Sequence, residues 1–396
     1  MKRYKIAISI IILFCLSCNE DPSSPNTPPT ENTTYENLVF SDKVELFNYP
    51  SFGSTNTNFE FKVVLRDPTL RVSKIKYDFT SDNNYDTLLT AQDTVKSKFS
   101  LFGYNTVIGS VVLADETVLS CSTIIWVTDP QLIAADGSVF YEPNIYNGNM
   151  ISVTHGRRHQ VQFVDQNSFA MKCFFCDFES EKFSEMHISI PSFDGKNLLF
   201  DNGTDYLFCV YDLAKNDSTT IDLPINLVSY PVGKLTWSLD NESIYCVSVD
   251  KNYTPSGIKS YNLQTKQIVD LYEKGDYVCI VPDQPDKIAI LEEVNNSESK
   301  LIIFNTSSNS VEAEYSEIPF NAPFRILRDN DRIYFDGEMA FYSLSRKKSY
   351  FMAFDELDLS EHMYGEADIN MDGNKFIIGT WIDFRGLYEI TLPNQF

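Results

Sequence analysis

Residues 191–200 read PSFDGKNLLF: an apolar stretch closes, the chain turns on Asp194-Gly195, and a second apolar run opens at Leu198. The same pattern returns as TWSLDNESIYCV, VPDQPDKIAIL, LRDNDRIYF and INMDGNKFII. The first apolar residues after these turns, Leu198, Ile244, Ile288, Ile333 and Phe376, are spaced 46, 44, 45 and 43 residues apart. A second landmark is an aromatic that begins a short hairpin: Tyr211-Asp-Leu, Tyr261-Asn-Leu, Phe304-Asn-Thr, Tyr342-Ser-Leu and Tyr388-Glu-Ile. Counting back 48 residues from Tyr211 reaches Phe163-Val-Asp, which marks a sixth, degenerate unit at about 137–183 with MISV near 150 as its second strand. Four short strands in a period of about 44 residues are the signature of a β-propeller blade. One twisted four-stranded sheet has two apolar faces and cannot bury them alone, whereas radial stacking covers every face. The Asp and Gly are turn chemistry, not candidates for catalysis.

The Ser-x-Asp-Gly-Lys-x-Leu-x-Phe form with its aromatic-x-Leu hairpin resembles the TolB-like propeller repeat over residues 130–396, which at this period gives six blades. The last unit stops at YEITLPNQF after its third strand, so DPQLIAA at 129–135 is expected to supply the missing outer strand and close the ring.

The N-terminus carries a processing signal, not fold. Lys2, Arg3 and Lys5 precede an eleven-residue apolar run, Ile6–Leu16, too short to span a bilayer about 30 Å thick. It ends at Cys15-Leu16-Ser17-Cys18, which resembles a bacterial lipobox with Cys18 as the acylated residue. Asn19-Glu20-Asp21 behind it is similar to the export signal of Bacteroidota surface lipoproteins. That resemblance implies a signal peptide over 1–17 and an outer-membrane anchor facing outward, with a periplasm-facing anchor as the alternative. Residues 18–35 are rich in Pro, Ser, Thr and Asn and read as a disordered tether.

Between 36 and 129 the runs FEFKVVL, KIKYDF, SKFSLFG, VIGSVVLA and STIIWV are broken by turns every 8–12 residues, the spacing of a β-sandwich. YDF followed by Asp-Asn-Asn, with SVVLADETVLSCSTIIWV later, resembles a PKD or immunoglobulin-like module, which implies a spacer. The fold expected is therefore all-β, a sandwich followed by a six-bladed propeller.

The chain holds 32 basic and 55 acidic residues, and 29 against 55 once the signal is removed, a net charge of −26. Such a surface excludes nucleic acid, whose phosphates need a basic face. Cys121, Cys209, Cys246 and Cys279 lie in strand-like runs and read as small packed apolar residues. Cys173-Phe-Phe-Cys176 has the spacing of a redox or zinc pair but no second ligand pair at metal spacing; it reads as packed thiols or a local disulfide.

In a closed ring, loops joining second to third strands share a rim with those joining each blade to the next. His155, Arg157, Arg158 and His159 fall in such a loop of the first blade, Tyr253 in that of the third, and Trp381 and Arg385 in that of the sixth. His362 and Tyr364 belong to the passage into the sixth blade, beside the first. Arginine grips carboxylates or sulfates in bidentate fashion and aromatic rings stack on sugars. The cluster therefore points to a glycan or a surface protein as partner, with no cofactor and no metal. A polysaccharide lyase or hydrolase using the same mouth is the alternative. No His-Glu-x-x-His or Gly-x-Ser-x-Gly pattern supports catalysis, and His187 in MHISI reads as a core histidine.

Overall fold

The computed structural model describes residues 38–394 apart from 83, 90–91, 135–139, 147–149, 156–159, 166–170, 174–188, 202–207, 213, 216, 222, 224–232, 250–254, 296–297, 355–356, 358–366 and 381–385; from Ala134 to Ser189 it describes the backbone course alone. No α-helix occurs among the described residues.

The first unit is a two-sheet sandwich. Val44–Tyr49, Phe59–Leu65 and Val95–Ser97 form one sheet; Phe52–Gly53, Val118–Val127, Gly103–Leu113, Val72–Asp78 and Thr87–Leu89 form the other, in that spatial order. Alternation decides what is inside, since successive strand side chains point to opposite faces. Phe59, Phe61 and Val63 are buried, and they meet Ile75, Tyr77, Val107, Val111, Ile125 and Val127 in one core. The strand expected in SKFSLFG stops at Ser97. There the chain crosses from one sheet to the other: Phe99 returns to the core, while Leu101 and Phe102 stand 72% and 61% exposed.

Six four-stranded antiparallel sheets follow, and their strands are counted here from the axis outward. Blade 1 comprises Phe140–Tyr146, Met150–His155, Gln160–Asp165 and Met171–Cys173; blade 2 Ser189–Pro191, Asn197–Asp201, Phe208–Asp212 and Asp217–Ile221; blade 3 Leu235–Trp237, Ser243–Val249, Pro255–Asn262 and Ile268–Tyr272. Blade 4 comprises Tyr277–Ile280, Lys287–Asn295, Glu298–Asn305 and Ser310–Ile318; blade 5 Phe324–Ile326, Arg332–Phe335, Ala340–Ser343 and Lys348–Phe351. Blade 6 takes Ala367–Ile369, Lys375–Thr380 and Gly386–Thr391 from the end of the chain, and its fourth strand is Gln131–Ala134, with Gln131 opposite Glu389.

The inner strands are apolar on both faces because each blade packs against two neighbours. Val278 faces blade 3, among Val247, Ile258 and Ile288, whereas the next residue, Cys279, faces blade 5 with Phe324 and Phe335. Leu199 and Phe208 of blade 2 meet Leu235 and Trp237 of blade 3; Tyr334 and Phe341 of blade 5 meet Ile369 and Phe376 of blade 6. The innermost strand of blade 1 lies against that of blade 2 on one side and the two inner strands of blade 6 on the other, which completes the ring.

The sandwich is joined to this ring through main-chain bonds. Phe52–Gly53 pairs in parallel with Trp126 and Val127 on one side and Phe52 bridges Met352, beyond the outer strand of blade 5, on the other. Ser51 N–H donates to Phe351 O at 2.7 Å, and Ala353 N–H to Phe52 O at 3.0 Å. The Phe52 side chain, 1% exposed, is sunk among Phe341, Tyr350 and Met352.

Candidate functional site

The repeated Asp-Gly motif is resolved as turn chemistry. Gly195 N–H donates to Ser192 O at 2.9 Å, and the equivalents are Asn241 to Ser238, Asn330 to Leu327 and Gly373 to Asn370, each also 2.9 Å. In all four the donor residue has positive φ (Gly195 67°, Asn241 62°, Asn330 57°, Gly373 71°), a conformation open to glycine and least costly otherwise for asparagine. Blade 4 departs from this: the left-handed residue is Asp283, φ 59°, one position before the Gln284 that donates to Val281 O. The turn carboxylates cap the next main-chain N–H groups, as Asp194 does for Lys196 at 3.1 Å and Asp240 for Glu242 at 3.0 Å. The third-strand landmarks do similar work at the opposite hairpin: Asn262 Oδ1 accepts from Gln264 and Thr265, and Asn305 Oδ1 from Ser307 and Ser308.

Of the rim residues singled out from sequence, His155 ends the second strand of blade 1, its backbone opposite Phe140 and Gln160. Arg157, Arg158, His159, Tyr253, His362, Tyr364, Trp381 and Arg385 lie outside the described residues, as do Cys18, Cys176 and His187. Cys121, Cys246 and Cys279 are buried free thiols, and Cys209 is buried. Burial pushes Cys246 and Cys279 up to about 12, so neither is a nucleophile near neutral pH.

The structure presents a second locus that the sequence reading did not single out. On the axis, innermost strands of blades 2 to 6 enclose a cavity of about 70 Å³. It is lined by Ile190, Leu235, Ile280, Ile326, Ile369 and Met371, and by the polar residues Thr236, Arg325 and Asp368. Phe193, Leu327 and Asn370, from the Asp-Gly turns and their equivalents, also line it. Thr236 Oγ1 donates to Trp237 O at 3.3 Å. Arg325 Nε stands 3.5 Å from Asp368 Oδ1, its side chain 35% exposed and that of Asp368 8%. Beside Arg325 in the ladder, Tyr334 is raised well above the usual phenol range, first by burial and then by the charges of Asp336 and Asp368. A signal for this locus existed in the sequence: one polar residue stands mid-strand before each turn, in Leu-Thr236-Trp, Phe-Arg325-Ile and Ala-Asp368-Ile.

Above the cavity, the turns are laced together. Phe193 N–H of blade 2 donates to Asn241 Oδ1 of blade 3 at 2.7 Å. Arg328 reaches back to Asp283 of blade 4, Nε to Oδ2 2.7 Å, and forward to Asp372 of blade 6.

No protein-family model matches the chain and no curated protein matches it. Solved structures to which it is similar include TolB from Acinetobacter baumannii, at 10% identity over 88% of this chain and 80% of that one, with a TM-score of 0.40. An auxiliary nutrient binding protein from Bacteroides thetaiotaomicron is similar at 10% identity over 90% and 99% of the two chains, TM-score 0.44. A putative TolB from Agrobacterium tumefaciens is similar at 12% identity over 55% and 82%, TM-score 0.41. Likenesses of this extent bear on neither ligand nor activity, and the ring stands on its own strand pairings.

Proposed function

We propose that this chain is a lipid-anchored binding or scaffold protein of the cell envelope, held through Cys18 and facing outward, which engages a glycan or a protein partner through one face of its propeller. The observation that carries the reading is the closure of the ring. Blade 1 lies against blade 6, so the second strands ending at His155 and Thr380 belong to adjacent blades and run to the same rim. The segments that follow those ends, 156–159 and 381–385, hold Arg157, Arg158, His159, Trp381 and Arg385. Guanidinium and aromatic groups carried by those two segments of an acidic protein suit an acidic sugar or an acidic protein surface.

The test is a glycan array, with envelope-protein capture alongside, on wild type and the Arg157→Ala/Arg158→Ala double variant. Saturable binding that the double variant loses supports the reading, provided the bound glycan is recovered uncleaved. Divalent-metal-dependent turnover of an acidic polysaccharide overturns it in favour of an enzyme. Protease shaving of intact cells checks the address: a chain that survives shaving faces the periplasm.

A further inference from the structure

The hairpin joining the second and third strands of blade 4 carries oxygen atoms that nothing in partner binding accounts for. Leu291 and Leu301 stand opposite one another in that ladder and face the core between blades 4 and 5, with Ile318 and Phe320. Alternation puts Glu293 and Ser299, also opposite one another, on the same face. Side chains so paired lie about 5 Å apart at Cβ. Asn321, in the passage to blade 5, reaches the same point: its Nδ2 donates to Glu293 Oε2 at 3.0 Å.

Donors and acceptors do not balance there. An ionised carboxylate only accepts, so the Asn321 amide turns its NH2 to Glu293 and its Oδ1 away. That Oδ1 and Ser299 Oγ are sealed from solvent, and among the described residues neither has a hydrogen-bond partner. Ser299 as a whole is 0% exposed. Among the described residues Glu293 enters no ion pair. Native proteins leave few buried polar atoms unserved, and such atoms mark a bound water or ion. The charge favours the ion: a carboxylate without a counter-charge stands beside two neutral oxygens, which a water does not call for. The nearby lysines do not balance it, since Lys274 and Lys300 lie 3.3 and 3.4 Å from Glu292, whose side chain is on the opposite face.

We propose that Glu293, Ser299 and Asn321 form a calcium site that pins the blade 4 hairpin to the passage into blade 5. The donor set is a carboxylate, a hydroxyl and an amide carbonyl, oxygen throughout, which suits a hard cation and not the softer metals that seek nitrogen or sulfur. Calcium takes about six to eight oxygens in a flexible shell at about 2.3–2.6 Å, and exposed Glu293 leaves its outer side for water ligands. Magnesium demands a near-ideal octahedron at about 2.0–2.1 Å and keeps several of its waters, which two sealed oxygens do not allow. With a single carboxylate the affinity belongs at the weak end, about 0.1–1 mM. The site uses neither Arg157 nor Arg158, so its failure and that of the outer-rim reading are separable.

The experiment is calorimetric titration of the full chain with calcium chloride and, separately, magnesium chloride, at about 0.15 M NaCl to screen diffuse attraction to the acidic surface. Glu293→Gln keeps an acceptor for Asn321 and removes the charge, while Ser299→Ala removes one oxygen. Glu242→Gln, on a turn at the other rim, controls for the loss of any surface carboxylate. Melting curves with and without calcium show each variant folded and give a second readout. The proposal expects one saturable calcium site in wild type and in Glu242→Gln, with a higher melting temperature in calcium. Affinity should fall by about tenfold or more in Glu293→Gln, by about threefold or more in Ser299→Ala, and by about tenfold for magnesium. It is overturned if calcium shows no saturable site up to about 10 mM, if magnesium binds as tightly, or if either folded variant binds calcium as wild type does. A Ser299→Ala chain that melts above wild type in calcium overturns it too, since the hydroxyl is then merely stranded. Should Ser299→Ala fail to fold, Glu293→Gln, a change at an exposed side chain, decides.

Discussion

Two arginines four positions apart show how burial sets the worth of a charge. Arg328 lies 48% exposed between Asp283 and Asp372, and exposed pairs contribute at most about 1 kcal/mol each. Arg332, its side chain 7% exposed, pairs with Asp329 and also donates to Pro393 O at 3.4 Å and Asp372 O at 3.3 Å, tying blade 5 to the last residues of the ring. Arg332→Ala is expected to cost about 1–3 kcal/mol in urea unfolding because it leaves main-chain acceptors without their donor. Arg328→Ala should stay within about 1 kcal/mol. The buried thiols predict an alkaline limit. An unfolded thiol ionises near its ordinary value of 9.0, while folded Cys246 and Cys279 are held up to about 12. Well below pH 9 the two states bind the same protons and stability is level; from there to pH 12 the unfolded chain sheds protons first and stability falls. Urea midpoints at pH 8, 9 and 10 should show a decline that sets in as pH 9 is approached and is larger in the last interval, at about 1 kcal/mol per thiol by pH 10. In Cys246→Ala the decline should be shallower.

At the scale of the element, the turns were readable because their constraint is local. Asp194-Gly195 and Asp240-Asn241 satisfy their own main-chain donors and acceptors within five residues, so the sequence had to spell them out each time the blade recurred. The closing strand was legible by subtraction, since a blade with three strands lacks its fourth. Its burial predicts a graded response. Ile133 is 6% exposed and its neighbour Leu132 52%. Ile133→Ala should therefore cost about 2–5 kcal/mol, whereas Leu132→Ala should shift unfolding by about 0.5 kcal/mol or less. SKFSLFG was misread because a crossover between two sheets can carry the same alternation as a paired strand, and only the absent partner tells them apart. The axial polar residues were passed over for a related reason. Thr236, Arg325 and Asp368 are separated by 89 and 43 positions, and each alone is one polar residue in a three-residue strand. Ring geometry alone makes them neighbours.

For the whole molecule, six blades and a preceding sandwich followed from a period and a turn spacing, but the way the two units meet did not. Phe52–Gly53 is two residues long and has no periodicity to read; of its partners, Trp126 lies in the next strand of its own sheet and Met352 in the other unit. The module expected to serve as a spacer is thus stitched to blade 5 by main-chain bonds and an aromatic buried to 1%. Phe52→Ala is expected to remove about 3–5 kcal/mol from that joint. In scanning calorimetry the wild-type chain should melt in a single transition, and the variant should separate into two.

The short joint strand has a mechanical corollary. With main-chain bonds on both of its edges there is no hinge between residue 38 and the ring, so the direction in which the chain leaves the sandwich fixes the direction in which the propeller axis points. A pull on the N-terminal end loads the blade 5 edge directly instead of being taken up by a swivel. The molecule is then aimed like a lamp on a rigid bracket.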